Sequence, residues 1–181
     1  MAELRMFEKY KKEVAPALVK EFKLGSVMEV PTVKKVVVNS GVGNFADNKE
    51  ALALFEEELS QIAGQKPSER KAKKSIAGFK LRQGEIAGYS VTLRGHKMWA
   101  FLDKFVSLVL PRVRDFSGLD PKAFDQAGNY SIGVEEHTIF PEVNPNTTKG
   151  IRGLQVTIVT NSGDVDKSKK LLSLMGLPFK K

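Results

Sequence analysis

The sequence predicts an α+β two-layer sandwich, a mainly antiparallel sheet with helices on one face and a long basic loop. Apolar residues recur at helical spacing in some segments and alternate in others. The order is helix, strand, helix, strands, helix, strands, helix. Alternating strands bury one face against helices and leave the other to water.

Glu3 to Leu24 reads as a helix because Leu4, Phe7, Val14, Leu18 and Phe22 recur at spacings of three, four or seven. Pro16 predicts a kink inside it, and Gly25 a stop. Val33 to Asn39, "VKKVVVN", is a strand by its β-branched run. After the turn "SGVGN", Asp47 reads as an N-cap and Glu50 completes a capping box. The helix that follows runs to about Ala63, buries Leu52, Phe55, Leu59 and Ile62, and ends at Gly64. "QKPSERKAKK" reads as an edge strand entering a loop, since Pro67 is unsuited to a central strand. In "EIAGYSVTLRG", Tyr89, Val91 and Leu93 alternate with Ser90, Thr92 and Arg94. A helix from Lys97 to about Leu110 buries Met98, Phe101, Leu102, Phe105 and Val109, then meets Pro111 and the basic exit "RVRDF". "GNYSIGVEE" and "LQVTIVT" are two further alternating strands, with a turn-rich loop between them. The last helix starts near Asp164 or Asp166 and ends at Gly176. The face opposite the helices carries Ser90, Thr92, Arg94, Gln155, Thr157 and Ser131. No repeat, low-complexity tract or linker divides residues 1–181, so a single domain is expected.

Composition narrows the function. The chain has no cysteine, which excludes disulfides, thiolate metal sites and cysteine nucleophiles. It has no apolar run of about 18 residues, and "MAELRMFEKYKKEV" lacks the apolar core of a signal peptide. The expectation is a cytoplasmic protein with no membrane partner. A net charge of +8 attracts polyanions. The charge concentrates in "RKAKKSIAGFKLRQG", residues 70–84. Arg70, Lys71, Lys73, Lys74, Lys80 and Arg82 surround the apolar Ile76 and Phe79 with no acid among them. A solvated face usually mixes signs. These cations suit phosphates, and Phe79 suits stacking on an unpaired base.

Catalytic signals are weak. Gly41-Val42-Gly43-Asn44-Phe45-Ala46 fits a dinucleotide fingerprint between strand and helix. The fingerprint needs a second parallel, hydrophobic strand ending in an acid, and "GQKPSERKAKK" is polar and basic instead. Turn glycines are the plainer reading. His137 follows Glu135 and Glu136, but no second histidine stands at ligand spacing and His96 is remote in sequence. His137 is therefore expected at the surface. No catalytic residue, metal or cofactor is expected.

Longer motifs are more specific. "VVVNSGVG", "QKPSERKAKKSIAGFKLRQG", "VTLRG", "LPRVRDFSGL", "GNYSIGVEEHTIFPE", "IRGLQVTIVT" and "LLSLMGLPF" occur in one order from about residue 4 to 179. Together they resemble the bacterial-type large-subunit ribosomal protein five family, which binds 5S ribosomal RNA in the central protuberance. The resemblance implies a non-catalytic, ribosome-associated protein. It implies 5S RNA contacts at Asn39, Gln65 and Thr92, with Lys34, Lys35 and Arg94 supplying positioning charge. It implies that the basic loop, which is expected to be mobile when free, reaches the peptidyl-site transfer RNA, and that places Arg70, Lys71, Lys73, Lys74, Ile76, Phe79, Lys80 and Arg82 there. It implies that Arg112, Arg114 and Phe116 meet large-subunit RNA, that small-subunit protein thirteen is touched across an intersubunit bridge, and that other central-protuberance proteins are neighbours. Ser40 departs from the family's usual methionine, Ser117 from a frequent arginine, and residues 144–148 are unusual. The rival readings are a nucleotide-binding enzyme using Gly41 and Gly43, and an RNA assembly factor off the ribosome.

Overall fold

The computed structural model describes residues 4–43, 48–79 and 81–180. It is an α+β sandwich of a five-stranded antiparallel sheet and four helical segments. The strands are β1 (Val33–Gly41), β2 (Ser68–Lys71), β3 (Ile86–Leu93), β4 (Tyr130–Val134) and β5 (Leu154–Thr160), bonded in the order β2-β3-β1-β5-β4.

The first helical segment is not uniform. α1 (Arg5–Lys9) passes into a π-helical turn, Tyr10–Val14, and then into α2 (Ala15–Phe22). Pro16 stands in the first turn of α2. It has no N–H to donate and its ring crowds the carbonyl four residues back, so the wider turn is placed where the regular ladder fails. The segment ends before Gly25. Lys23 takes the left-handed conformation (φ 49°), and the Leu24 N–H bonds the Val19 carbonyl at 3.2 Å.

α3 (Lys49–Ala63) is capped by Asn48, whose side chain accepts the Ala51 N–H at 3.1 Å. The expected cap, Asp47, lies outside the described residues. α3 ends at Gly64 in the left-handed conformation, as expected. α4 (Gly95–Lys104) starts two residues before the predicted Lys97 and continues through a second π-helical turn, Phe105–Val109, to Arg112. Asp164 caps α5 (Val165–Met175), and Gly176 closes it.

The chain's contacts fall into two compact units. One comprises the residues up to Val36, Arg94–Ile132 and those from Thr157 on; the other comprises Val37–Leu93 and Gly133–Val156. The core of the first is built from Val14, Leu18, Leu102, Phe105, Leu171 and Leu172. There Trp99 meets Phe7 and Tyr10 at ring-centroid distances of 5.3 and 5.5 Å. The core of the second is built from Val38, Phe55, Leu59, Ile62, Tyr89, Val91 and Leu93, which include the α3 and β3 residues that the spacing selects. Among the described residues no helix is long and apolar enough to cross a membrane.

Candidate nucleic-acid interface

The second unit presents the chemistry. In β3, Tyr89, Val91 and Leu93 turn toward the core, and Tyr89 packs edge-on to Phe55. Thr92 therefore faces the other way, as does Asn39 between the buried Val38 and Ser40. β2 is the edge strand, antiparallel to β3 with Ser68 opposite Ser90 and Arg70 opposite Gly88. This side of the unit is polar. Gln65, just past the α3 cap, is half-buried, and its amide donates to the Thr92 carbonyl at 3.4 Å. The structure thus joins Gln65 to Thr92 and puts Asn39 on the face that Thr92 shares. Asn39 is exposed and caps no turn among the described residues.

In the first unit, Lys34 is exposed and Lys35 half-buried. As neighbours on a strand they project to opposite sides. Arg94 is exposed at the entry to α4. Arg112 and Arg114 are exposed and Phe116 is half-buried, with Asp115 between them at a positive φ of 51°. Ser131 and Thr157 hydrogen-bond to each other at 3.1 Å.

The basic segment has a frame of its own. Beyond β2 and β3, Ala72 bonds Glu85 at 2.8 Å, and Gly84 returns a bond to the Ala72 carbonyl at 3.0 Å. Nearer the tip Ile76 and Leu81 form a two-bond bridge. The Arg82 N–H donates to the Glu85 carboxylate and the Gln83 N–H to the Ser75 hydroxyl. Gly84 supplies a positive φ of 91° at the return. Arg70, Lys71, Lys73, Lys74 and Arg82 are exposed, and Ile76 is 47% exposed. Lys71 pairs with Glu69 at 3.3 Å, so one of the six charges is partnered by an acid just outside the segment. Phe79 closes a short 3-10 turn; its side chain and Lys80 lie outside the described residues.

The dinucleotide reading fails in the geometry. The strand after α3 is β2, which pairs with β3 and not with β1. Among the described residues there is no parallel β1-α3-β unit for a pyrophosphate to sit on. Among them, too, no three His, Cys, Asp or Glu side chains gather as metal ligands.

His137 corrects the surface expectation. Its ring is fully buried, in contact edge-on with Phe55. Nδ1 accepts the Arg152 backbone N–H at 3.1 Å, so the remaining ring proton belongs on Nε2, 3.2 Å from Glu58. The Thr148 hydroxyl donates to the other Glu58 oxygen at 2.6 Å, and the Arg152 guanidinium lies over the Phe55 ring at 4.6 Å. Burial lowers the His137 pKa from its ordinary value, and Glu58 opposes part of that fall. The group fastens the loop after β4 to α3 within this unit. Glu58 was readable as an acid set in the apolar stripe of α3, three residues past Phe55.

Two family models match the chain: ribosomal protein L5 over residues 26–82, and the C-terminus of the same ribosomal family over residues 86–179. The chain belongs to the ribosomal protein L5 family. It is accordingly a structural, non-enzymatic, RNA-binding protein of the large ribosomal subunit, with the ribosome and its RNA as partners. Ser40, at the end of β1, is buried and donates to the Gly153 carbonyl at 2.7 Å. The serine therefore links β1 to the residue that leads into β5.

Proposed function

We propose that the chain binds 5S ribosomal RNA in the central protuberance through the polar sheet face of its second unit. The observation that carries this is the polar patch there: Asn39 exposed on the side of β1 turned from the core, and the Gln65 amide bonded to the Thr92 backbone carbonyl. These groups suit base edges and 2′-hydroxyls. Lys34, Lys35 and Arg94, in the first unit, supply charge that positions the RNA backbone. The basic segment, with exposed cations around exposed Ile76, suits the elbow of the peptidyl-site transfer RNA. Arg112 and Arg114 suit large-subunit RNA, beside Phe116. Contact with small-subunit protein thirteen across an intersubunit bridge, and with other central-protuberance proteins, completes the proposal.

The test is binding to 5S ribosomal RNA and to an unrelated RNA of the same length, from low to moderate salt. A preference for 5S RNA that persists as salt rises supports a shaped surface. Equal binding that vanishes with salt leaves only charge and overturns the assignment. Fractionation separates the off-ribosome alternative: an assembly factor stays off mature ribosomes.

A further inference from the structure

The polar sheet face of the second unit is not flat. A groove of about 400 Å³ opens there, lined by Gly41 at the end of β1, Gly133 in β4, Gly153 just before β5, and the exposed Asn39, Glu135 and Gln155. Its volume falls among cavities that take a small organic group, roughly 300–1,000 Å³.

Gly133 is the informative residue. It lies inside a strand, where glycine loses more backbone freedom than any other residue and contributes no side chain to packing. Its φ is not in the left-handed region, and a Cβ built on it meets nothing within 4 Å. The fold does not require glycine at this position. Gly88 is the contrasting case: a Cβ there lies 2.6 Å from the Ser40 carbonyl oxygen, so close strand packing requires it. A strand glycine without an internal reason suits a close approach from outside.

The other lining groups say what approaches. They include one carboxylate and no cation, which disfavours a phosphate. Among the described residues the side chains of Asn39, Glu135 and Gln155 have no hydrogen-bond or ionic partner. Carboxylates accept from base amino groups, and amides pair with base edges. We infer that this groove receives one unstacked, amino-bearing nucleotide base of the bound RNA, laid against the backbone at Gly133 with its amino group donating to Glu135. Asn39 and Gln155 meet the rest of its edge. Uracil, which has no amino group, is disfavoured. This rests on the 5S RNA reading above and gives it a base-reading element.

The experiment compares wild type, Gly133→Val and Glu135→Ala on 5S ribosomal RNA and on the unrelated RNA of the same length, at moderate salt. Gly133→Val is expected to weaken 5S binding by about tenfold or more. It should leave the unrelated RNA unaffected and the thermal unfolding midpoint unchanged or higher. Glu135→Ala removes a negative charge, so a merely repulsive carboxylate predicts tighter binding to both RNAs. The inferred role predicts weaker binding to 5S RNA alone. A Gly133→Val chain that binds 5S RNA as wild type does, or a Glu135→Ala chain that tightens on both, overturns the inference. Wild type without a 5S preference overturns the parent reading and this one together, so the two failures are distinguishable.

Discussion

At the scale of single residues, His137 and Asn39 act on different quantities. His137 is neutral in the fold because its Nδ1 is occupied as an acceptor and its ring is buried. A second proton breaks the bond from the Arg152 N–H and places charge in the core. The folded pKa is depressed below the ordinary 6.5, so between the two values the unfolded chain binds more protons than the folded one. Stability from this group is therefore complete above pH 6.5 and declines as pH falls below it. Urea unfolding from about pH 8 to about pH 5 should show this decline, and His137→Gln should flatten it; an unchanged slope refutes the assignment. Asn39 is exposed, so Asn39→Ala should alter stability by no more than about 0.5 kcal/mol. The same change should weaken 5S RNA binding by about 1–1.5 kcal/mol without altering the salt slope, because it removes a hydrogen bond and no charge. Titration of the RNA at two salt concentrations checks both statements.

Elements show where backbone geometry, and not side-chain chemistry, sets the limits. β1 and β3 approach so closely that Gly88→Ala must displace the Ser40 carbonyl or the strand itself. The expected loss is about 1–3 kcal/mol, read as a lowered urea midpoint with an unchanged m-value. No loss would mean that the strands separate without cost. The same elements show what was readable beforehand. Phe55, Leu59 and Ile62 stand out by spacing, and Tyr89, Val91 and Leu93 by alternation, because periodicity reports directly which side is buried. Pro16 marks the irregularity in the first helix, but the π-helical form depends on how the preceding carbonyls are re-bonded. The cap that Asn48 gives α3 is not marked by the capping-box spacing of Asp47 and Glu50, which is what the pattern singles out. The burial of His137 is invisible to local pattern because its partners are 79 residues upstream and 15 downstream. Gln65 and Thr92 stand out only by family likeness; the bond between them is a tertiary fact.

For the whole molecule, a net charge of +8 promotes binding to any RNA, so affinity alone distinguishes little. What separates the proposed RNA contacts is how each responds to salt and to substitution. Lys73 and Lys74 are exposed on a segment whose backbone bonds among themselves do not use these side chains. Lys73→Ala/Lys74→Ala should therefore leave the fold intact. If both lysines neutralise phosphates of transfer RNA, each contributes about 0.7–0.9 to the log–log salt slope, and the double variant should lose roughly 1.4–1.8 in total. Its preference for 5S RNA over the unrelated RNA should persist, because the amides at Asn39 and Gln65 are untouched. Gln65→Ala should do the reverse, reducing that preference and leaving the transfer RNA slope as it was. Measuring the transfer RNA salt slope and the preference for 5S over the unrelated RNA in both variants gives four numbers that a uniform basic surface cannot reproduce, since it ties the two losses together. A double variant that loses the 5S preference along with the transfer RNA slope would mean that one diffuse charge field serves both RNAs, and the assignment of separate contacts would fail.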